Sequence, residues 1–178
     1  MLFRSIVEIE KDITRLQTIT DRFSKIGSEP VLEKRDVIED TKNTVDYLQT
    51  RVSQQVVFTF KAPEHPIYVD INPALHSWTI ENLVKNAIDA MKGKGSLNII
   101  ISELEDIVKI SITDSGKGIP KNQFTKVFEP GFTTKKRGWG LGLSLTKRIV
   151  QEYHKGKIKV AHSEIGKGTT MQISYKTA

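Results

Sequence analysis

The chain has 178 residues, 38% of them hydrophobic and 27% charged, with a formal net charge of +6. That composition suits a globular domain with an appended element, and the lack of any cysteine excludes disulfides and thiolate metal sites. The mild basic excess admits phosphate-bearing ligands, but no surface of interleaved basic and aromatic residues points to nucleic acid.

The first predicted element is a long N-terminal helix. Leu2, Ile6, Ile9, Ile13 and Leu16 alternate steps of four and three, with Glu8, Glu10, Lys11, Asp12 and Arg15 between them. Thr20 interrupts this heptad seam. The narrow stripe predicts pairing with another helix over residues 2–26, in a coiled coil or bundle, with packing on its own domain as the alternative. Gly27-Ser28-Glu29-Pro30 forms a hinge. A second, more polar helix is expected from Lys34 to about Val52. Strands are expected at Val56–Phe60 and Ile67–Val69, separated by Ala62-Pro63-Glu64-His65-Pro66.

A third helix follows, with Asn72 as its cap and Pro73 in its first turn. Asn82, Asn86 and Asp89 fall at i, i+4 and i+7 and make one polar stripe. Ile80, Val84, Ala87, Ile88 and Met91 make the apolar stripe beside it. Taken alone, the polar stripe fits a solvated face better than a site. Its amide and carboxylate oxygens nevertheless suit a hard cation such as Mg²⁺, shared with substrate phosphates. Lys92-Gly93-Lys94-Gly95 ends the helix. Ser96–Glu103 and the alternating Val108, Ile110 and Ile112 predict a hairpin with one buried face.

The second of these strands runs into Asp114-Ser115-Gly116-Lys117-Gly118-Ile119-Pro120. A carboxylate there can accept a hydrogen bond from an exocyclic amine, and the glycines let backbone approach a flat ring or a phosphate. A plain turn explains the same residues equally well. A short helix and a mobile loop are expected over 121–139. Gly138-Trp139-Gly140-Leu141-Gly142 then opens a helix running to about Tyr153, and such an end offers free N–H groups to phosphate. Lys135, Lys136 and Arg137 stand just before it. The run is not a Walker A loop, since Leu143 and Ser144 follow Gly142. Strands at Ile158–Val160 and Thr170–Tyr175, joined through Gly166-Lys167-Gly168, complete an α+β pattern with a mixed or antiparallel sheet.

Four blocks occur in one order: Asn82-Leu83-Val84-Lys85-Asn86-Ala87, Asp114-Ser115-Gly116-Lys117-Gly118-Ile119, Phe128-Glu129-Pro130-Gly131-Phe132 and Gly140-Leu141-Gly142-Leu143. Over about Val56 to Tyr175 this resembles the catalytic and ATP-binding domain of sensor histidine kinases, in the GHKL superfamily. The resemblance implies the Bergerat fold, a two-layer α/β sandwich with ATP and Mg²⁺ held between helices and a lid. It implies Asn86 as the Mg²⁺ ligand, Asn82 as a second candidate, and Asp114 as acceptor for the adenine amine. Gly116 and Gly118 would shape the adenine and ribose wall. Gly140 and Gly142 would hold the phosphates, and Lys135 and Arg137 would reach the γ-phosphate as catalytic cations. Asp89, Ile119, Phe128, Thr133, Thr134, Gly138, Leu141, Leu143 and Thr169 complete the expected nucleotide-binding set. Trp139 departs from the small residue often found between such glycines.

The family's phosphoacceptor is a His followed by an acidic residue, with Pro a few residues on. His65, His76, His154 and His162 all lack that context. Residues 1–27 resemble the second helix of the dimerisation hairpin, and residues 28–178 the catalytic domain. The resemblance therefore implies transfer of phosphate to a histidine outside this chain, on a dimerisation domain, with a response regulator receiver domain downstream. A homodimer through residues 2–26 is a further expectation. With no apolar run of membrane length and no signal peptide at Met1, the chain is expected in the cytoplasm, and membrane attachment would come only from other parts of a longer parent. Two rival readings carry different consequences. An ATP-hydrolysing conformational switch would need Glu where Asn82 stands, and a dimerising interaction module would carry a degenerate nucleotide site, whereas all four blocks are intact.

Overall fold

The structure, a computed structural model, describes residues 30–134 and 139–178. The expected heptad helix over 2–26 lies outside them, as do Lys135, Lys136, Arg137 and Gly138. Strand β1 (Glu33–Asp36) comes first, where a helix from Lys34 is expected. The helix starts only after Asp36, whose Oδ1 accepts the N–H groups of Ile38 at 3.0 Å and Ile67 at 3.2 Å. This cap ends the extended stretch and opens α1 (Val37–Gln49), which buries Val37, Val45 and Leu48. Strand β2 (Val56–Lys61) and strand β3 (Tyr68–Ile71) follow, and β3 pairs antiparallel with β1 in a separate two-stranded ribbon.

Helix α2 (Pro73–Ala90) carries the asparagines. As expected, Asn72 caps it, its Oδ1 accepting the Leu75 N–H at 3.1 Å, with Pro73 at the first position. Gly93, at φ +76°, donates its N–H to the Ile88 carbonyl and closes the far end. Strands β4 (Gly95–Leu104) and β5 (Ile107–Asp114) form the antiparallel hairpin, Ile99 opposite Ile112. Two single 3₁₀ turns, Lys121–Gln123 and Lys126–Phe128, replace the expected short helix. Helix α3 (Gly142–Arg148) then runs into a π-helical turn, Ile149–Tyr153, where the His154 N–H reaches back to the Ile149 carbonyl. That extra residue per turn accompanies the complete burial of Ile149 and Val150. Strands β6 (Lys157–Glu164) and β7 (Gly168–Lys176) end the chain.

The main sheet has the order β2-β4-β5-β7-β6, with β2 parallel to β4 and the other pairs antiparallel. It is the expected mixed sheet of a two-layer α/β sandwich. Strand alternation divides it into two faces. Leu97, Ile99 and Ile101 of β4, Val108, Ile110 and Ile112 of β5, and Met171 and Ile173 of β7 are buried on one face, in a core with Ile80, Leu83, Val84 and Ala87 of α2. Each such side chain contributes about 1.5–3 kcal/mol by leaving water. Among the described residues no helix is long and apolar enough to cross a membrane.

One polar cluster lies inside this core. His76 of α2 is fully buried, and its Nε2 shares a hydrogen bond with Thr41 Oγ1 of α1 at 2.9 Å. The Tyr175 ring stands edge-on between His76 and His154, 5.8 Å from each. His154 Nε2 accepts the Asn72 N–H at 3.1 Å, so this ring must be neutral to do its work. Burial lowers the His76 pKa to about 3, helped by repulsion from His154 and opposed by Asp40, and burial lowers that of His154 to about 4.

Both folded-state values lie below the ordinary imidazole value, so the unfolded chain takes up these protons first. Stability is therefore full above about pH 6.5 and falls as the pH drops toward the folded values, by about 2 kcal/mol per imidazole at pH 5. Urea unfolding at pH 7 and pH 5, a window above most carboxylate titration, is expected to show this loss with an uptake of nearly two protons. Equal stability at both pH values would mean that the two rings are not held neutral.

Candidate functional site

Asp114 is the last residue of β5, on its inward face between Leu97 and Thr169, and is 6% exposed. Its Oδ1 accepts the Gly116 N–H at 2.8 Å, and the backbone of Thr169 also bonds to the carboxylate. Burial pushes the carboxyl pKa up, against the lowering effect of these N–H donors.

The turn after Asp114 is clamped on both sides. The Lys117 N–H donates to the Ala90 carbonyl at the end of α2, and the Lys117 carbonyl accepts the Gly166 N–H of the β6–β7 turn. Ser115 Oγ accepts the Ser96 N–H at 2.9 Å. Ser163 Oγ accepts the Ile119 N–H at 2.7 Å and is linked to Thr169 Oγ1 at 2.9 Å. A Cβ on Gly116 would stand 2.7 Å from the Ala90 carbonyl carbon, and one on Gly118 would overlap the Glu164 carbonyl. Backbone packing thus demands these glycines independently of any ligand.

Across α2, Asn82 and Asn86 are half-buried and Asp89 is exposed. Asn82 Nδ2 donates to Thr146 Oγ1 at 3.3 Å, and Thr146 Oγ1 donates to the Gly142 carbonyl at 2.9 Å. Asn82 Oδ1 is the atom that a Cβ on Gly142 would meet, at 3.6 Å. The first turn of α3 therefore lies beside Asn82, with an amide oxygen directed at it. Glu81 points elsewhere and pairs with Lys85. Leu141 and Leu143 are half-buried, and Leu143 packs on the core.

The segment between the two glycine runs is pinned at its base. The Gly131 N–H bonds to the Gly140 carbonyl at 3.0 Å, and Gly140, at φ +65°, has no room for a Cβ against the Gly131 backbone. Phe128 is buried, and Phe124 and Phe132 pack on the core. Thr133 and Thr134 are exposed, with Thr134 Oγ1 accepting from Lys117 Nζ at 2.9 Å. Trp139 is 69% exposed. The expected cations Lys135 and Arg137, and Gly138, lie outside the described residues.

Asp114, Gly116, Gly118, Ile119 and Thr169 thus gather around one turn, and Asn82 and Gly142 meet at a second point. Sequence reasoning missed Thr146 and Ser163, the hydroxyls that organise each group. Thr146 stands four residues after Gly142, a spacing that permits its bond to the Gly142 carbonyl. Ser163 carries no local signal, because its partners come from the distant Ile119 and Thr169. Among the described residues no group of three or more His, Cys, Asp or Glu side chains could hold a metal ion. A cation at this site would lean on amide oxygens such as those of Asn82 and Asn86, a donor set that fits Mg²⁺ accompanied by phosphate.

Fold and site together define a class: a two-layer α/β sandwich with a buried strand-end carboxylate, half-buried helix amides and two glycine-bearing turns. The chain belongs to the family described as "Histidine kinase-, DNA gyrase B-, and HSP90-like ATPase", whose model matches residues 75–178. Its curated relatives include sensor histidine kinase ZraS of Escherichia coli strain K12, 40% identical over 121 residues that make up 68% of this chain and 26% of that protein. Sporulation kinase E of Bacillus subtilis strain 168 is 32% identical over 93% of this chain and 23% of its own length. The chain therefore spans about a quarter of the length of these relatives. Among solved structures, the catalytic domain of histidine kinase ThkA is similar with a TM-score of 0.73 and 26% identity, over 82% of this chain and 95% of that one. ThkA in complex with the response regulator protein TrrA matches with a TM-score of 0.78 and 25% identity, over 96% of this chain and 49% of that one.

The clamped turn yields a paired comparison. Gly93 and Gly118 share φ +76°, but nothing lies within 4 Å of a Cβ on Gly93. Gly93→Ala is expected to cost about 1 kcal/mol of conformational strain. Gly118→Ala adds the clash with Glu164 and is expected to cost about 1–3 kcal/mol more. Denaturant midpoints of the two variants measure the difference, and equal losses would show that the turn is not clamped.

Proposed function

We propose that this chain is the ATP-binding, phosphoryl-transferring portion of a two-component sensor histidine kinase, with the acceptor histidine outside it. The observation that carries the proposal is the buried carboxylate of Asp114 at the end of β5, in a chain of this ATPase family. Asp114 accepts the adenine amine, while Gly116, Gly118, Ile119 and Thr169 form the wall beside it. Asn86 and Asn82 hold the metal, with Asp89 further along the same face. Gly138, Gly140, Leu141, Gly142 and Leu143 approach the phosphates, and Phe128, Thr133 and Thr134 belong to the lid. Lys135 and Arg137 contact the γ-phosphate. A bound Mg²⁺ neutralises phosphate charge, and the protein otherwise positions the reactants, since phosphoryl transfer asks little covalent work of it.

The γ-phosphoryl group passes to a histidine of a separate dimerisation domain and then to a response regulator receiver domain. Residues 1–27 act as the second helix of the dimerisation hairpin and support a homodimer, and residues 28–178 are the catalytic domain. The site faces the cytoplasm, whether or not the parent protein is anchored in a membrane. An ATP-hydrolysing switch is disfavoured by Asn82, which stands where that chemistry needs a glutamate.

Two experiments test the reading. With γ-labelled ATP, the chain alone is expected to retain no label and to transfer it slowly to a supplied histidine-bearing dimerisation domain, because the unlinked parts lack a high effective concentration. Asn86→Ala is expected to abolish that transfer together with Mg²⁺-dependent ATP binding. Acid-labile label on the isolated chain would place an acceptor among its four histidines and refute the assignment.

The second concerns nucleotide choice. An ionised carboxylate only accepts hydrogen bonds, so adenine offers Asp114 a donor where guanine offers a second acceptor. Asp114→Asn is expected to weaken ATP binding by about 1.5–3 kcal/mol, the worth of a charge-assisted hydrogen bond, and to narrow the preference over GTP. Competition titrations of both nucleotides measure this. A parent chain that binds GTP as well as ATP would remove Asp114 from the adenine site.

A further inference from the structure

The face of the main sheet opposite the core carries a one-sided charge. Strand alternation and register place Lys61 of β2, Lys109 of β5 and Lys157 and Lys159 of β6 on it, because their neighbours Val108, Ile110, Ile158 and Val160 are buried on the other face. None of the four forms an ion pair among the described residues. At the outward positions of the five strands the one carboxylate is Glu164, at a rim, already paired with Lys167 at 2.7 Å.

Between Lys61 and Lys159 the register places Ile100, Ser111 and Gln172, with Gln172 Nε2 donating to Ser111 Oγ at 3.1 Å. In the adjoining row, on the side away from Lys109 and Lys157, Thr59, Asn98, Thr113 and Thr170 align on successive strands, and the hydroxyls of Thr113 and Thr170 are linked at 2.9 Å. Thr59, Lys61, Asn98, Ile100 and Thr113 line a shallow cavity of about 370 Å³ on this face. Lys61 and Lys159 stand in one cross-strand row four strand spacings apart, about 19 Å, which matches about six residues of extended chain.

We propose that this outward face is a docking surface for an acidic protein segment, held by Lys61, Lys157 and Lys159 on the two edge strands and by Lys109 on the central strand. Charge complementarity selects the partner, since four unpaired ammonium groups without intervening carboxylates repel basic surfaces and steer acidic ones. The outward positions of the five strands carry no Phe, Tyr or Trp and a single imidazole, His162, so bases find no extended stacking platform and nucleic acid is disfavoured. A lipid surface needs only the charge, whereas Ser111 and Gln172 between Lys61 and Lys159, with the threonine and asparagine row beside them, offer donors and acceptors to a peptide backbone. The surface lies on the side of the sheet opposite the helices and is independent of the nucleotide reading.

The test uses the full chain and poly-L-glutamate as probe, with binding followed by fluorescence anisotropy at low and high salt. Reversal of all four residues (Lys61→Glu, Lys109→Glu, Lys157→Glu and Lys159→Glu) is expected to weaken binding at least tenfold. A control with the same charge change elsewhere, Lys42→Glu, Lys92→Glu, Lys94→Glu and Lys121→Glu, is expected to stay within threefold of the parent. Equal losses in both variants would reduce the effect to net charge and overturn the proposal. So would tighter binding of anionic phospholipid vesicles or single-stranded DNA, lost in the same sheet variant. Carbodiimide cross-linking of the unaltered chain to poly-L-glutamate gives a readout that no folding defect affects. Links concentrated at the four lysines support the surface, and links at other lysines overturn it.

Discussion

The turn that follows β5 is the constraint on which the candidate site depends. Its carboxylate and its glycines serve one purpose. Asp114 is drawn under the surface at the end of a strand, and the Gly116 N–H compensates its lost hydration. Gly116 lets the turn lie against the last carbonyl of α2, and Gly118 lets it lie against the β6–β7 turn. The end of α2, the end of β5 and the start of β7 are thereby held together. A displacement of any one of them would expose or strand a buried charge, so the geometry around Asp114 is rigid by necessity.

The contact between α2 and α3 is built differently. There one side-chain relay runs from Asn82 through Thr146 to the Gly142 carbonyl. The fully buried hydroxyl of Thr146 has both of its bonds inside this relay. A relay of neutral hydrogen bonds is weaker than a buried charge with its own donors, each bond contributing about 0.5–1.5 kcal/mol.

The core holds its own polar device. His76, His154 and Tyr175 occupy positions where an apolar residue would pack at no desolvation cost, yet they tie α1, α2, β7 and the cap of α2 into one network. Burial keeps both imidazoles neutral and shuts them away from any phosphoryl donor, so they serve as pH-sensitive structural parts. The same sandwich therefore presents three chemically distinct regions: an interior with neutral histidines, a strand-end turn with a buried carboxylate, and a basic sheet face.

Much of this was legible in the chain itself, wherever a local rule applies. The alternation of Val108, Ile110 and Ile112 determined one buried face, the Asn72-Pro73 pair determined the start of α2, and four ordered blocks determined the family resemblance and the candidate residues. Local rules stop at contacts between distant residues. Glu33–Asp36 reads as helix by its neighbours and becomes a strand because Tyr68–Ile71 supplies its hydrogen bonds. The parallel pairing of β2 with β4 likewise has no local signature. The glycine runs announced flexibility, but which backbones they must clear was decided by packing against Ala90, Glu164 and Gly131. Thr146 and Ser163 became organising residues only when helices and turns far apart in sequence were brought within hydrogen-bonding distance. The sequence by itself determined the family resemblance, the residues it nominates for the chemistry and which faces leave water; the tertiary structure decided which of them touch, because burial and long-range hydrogen bonds exist only once the chain has closed on itself.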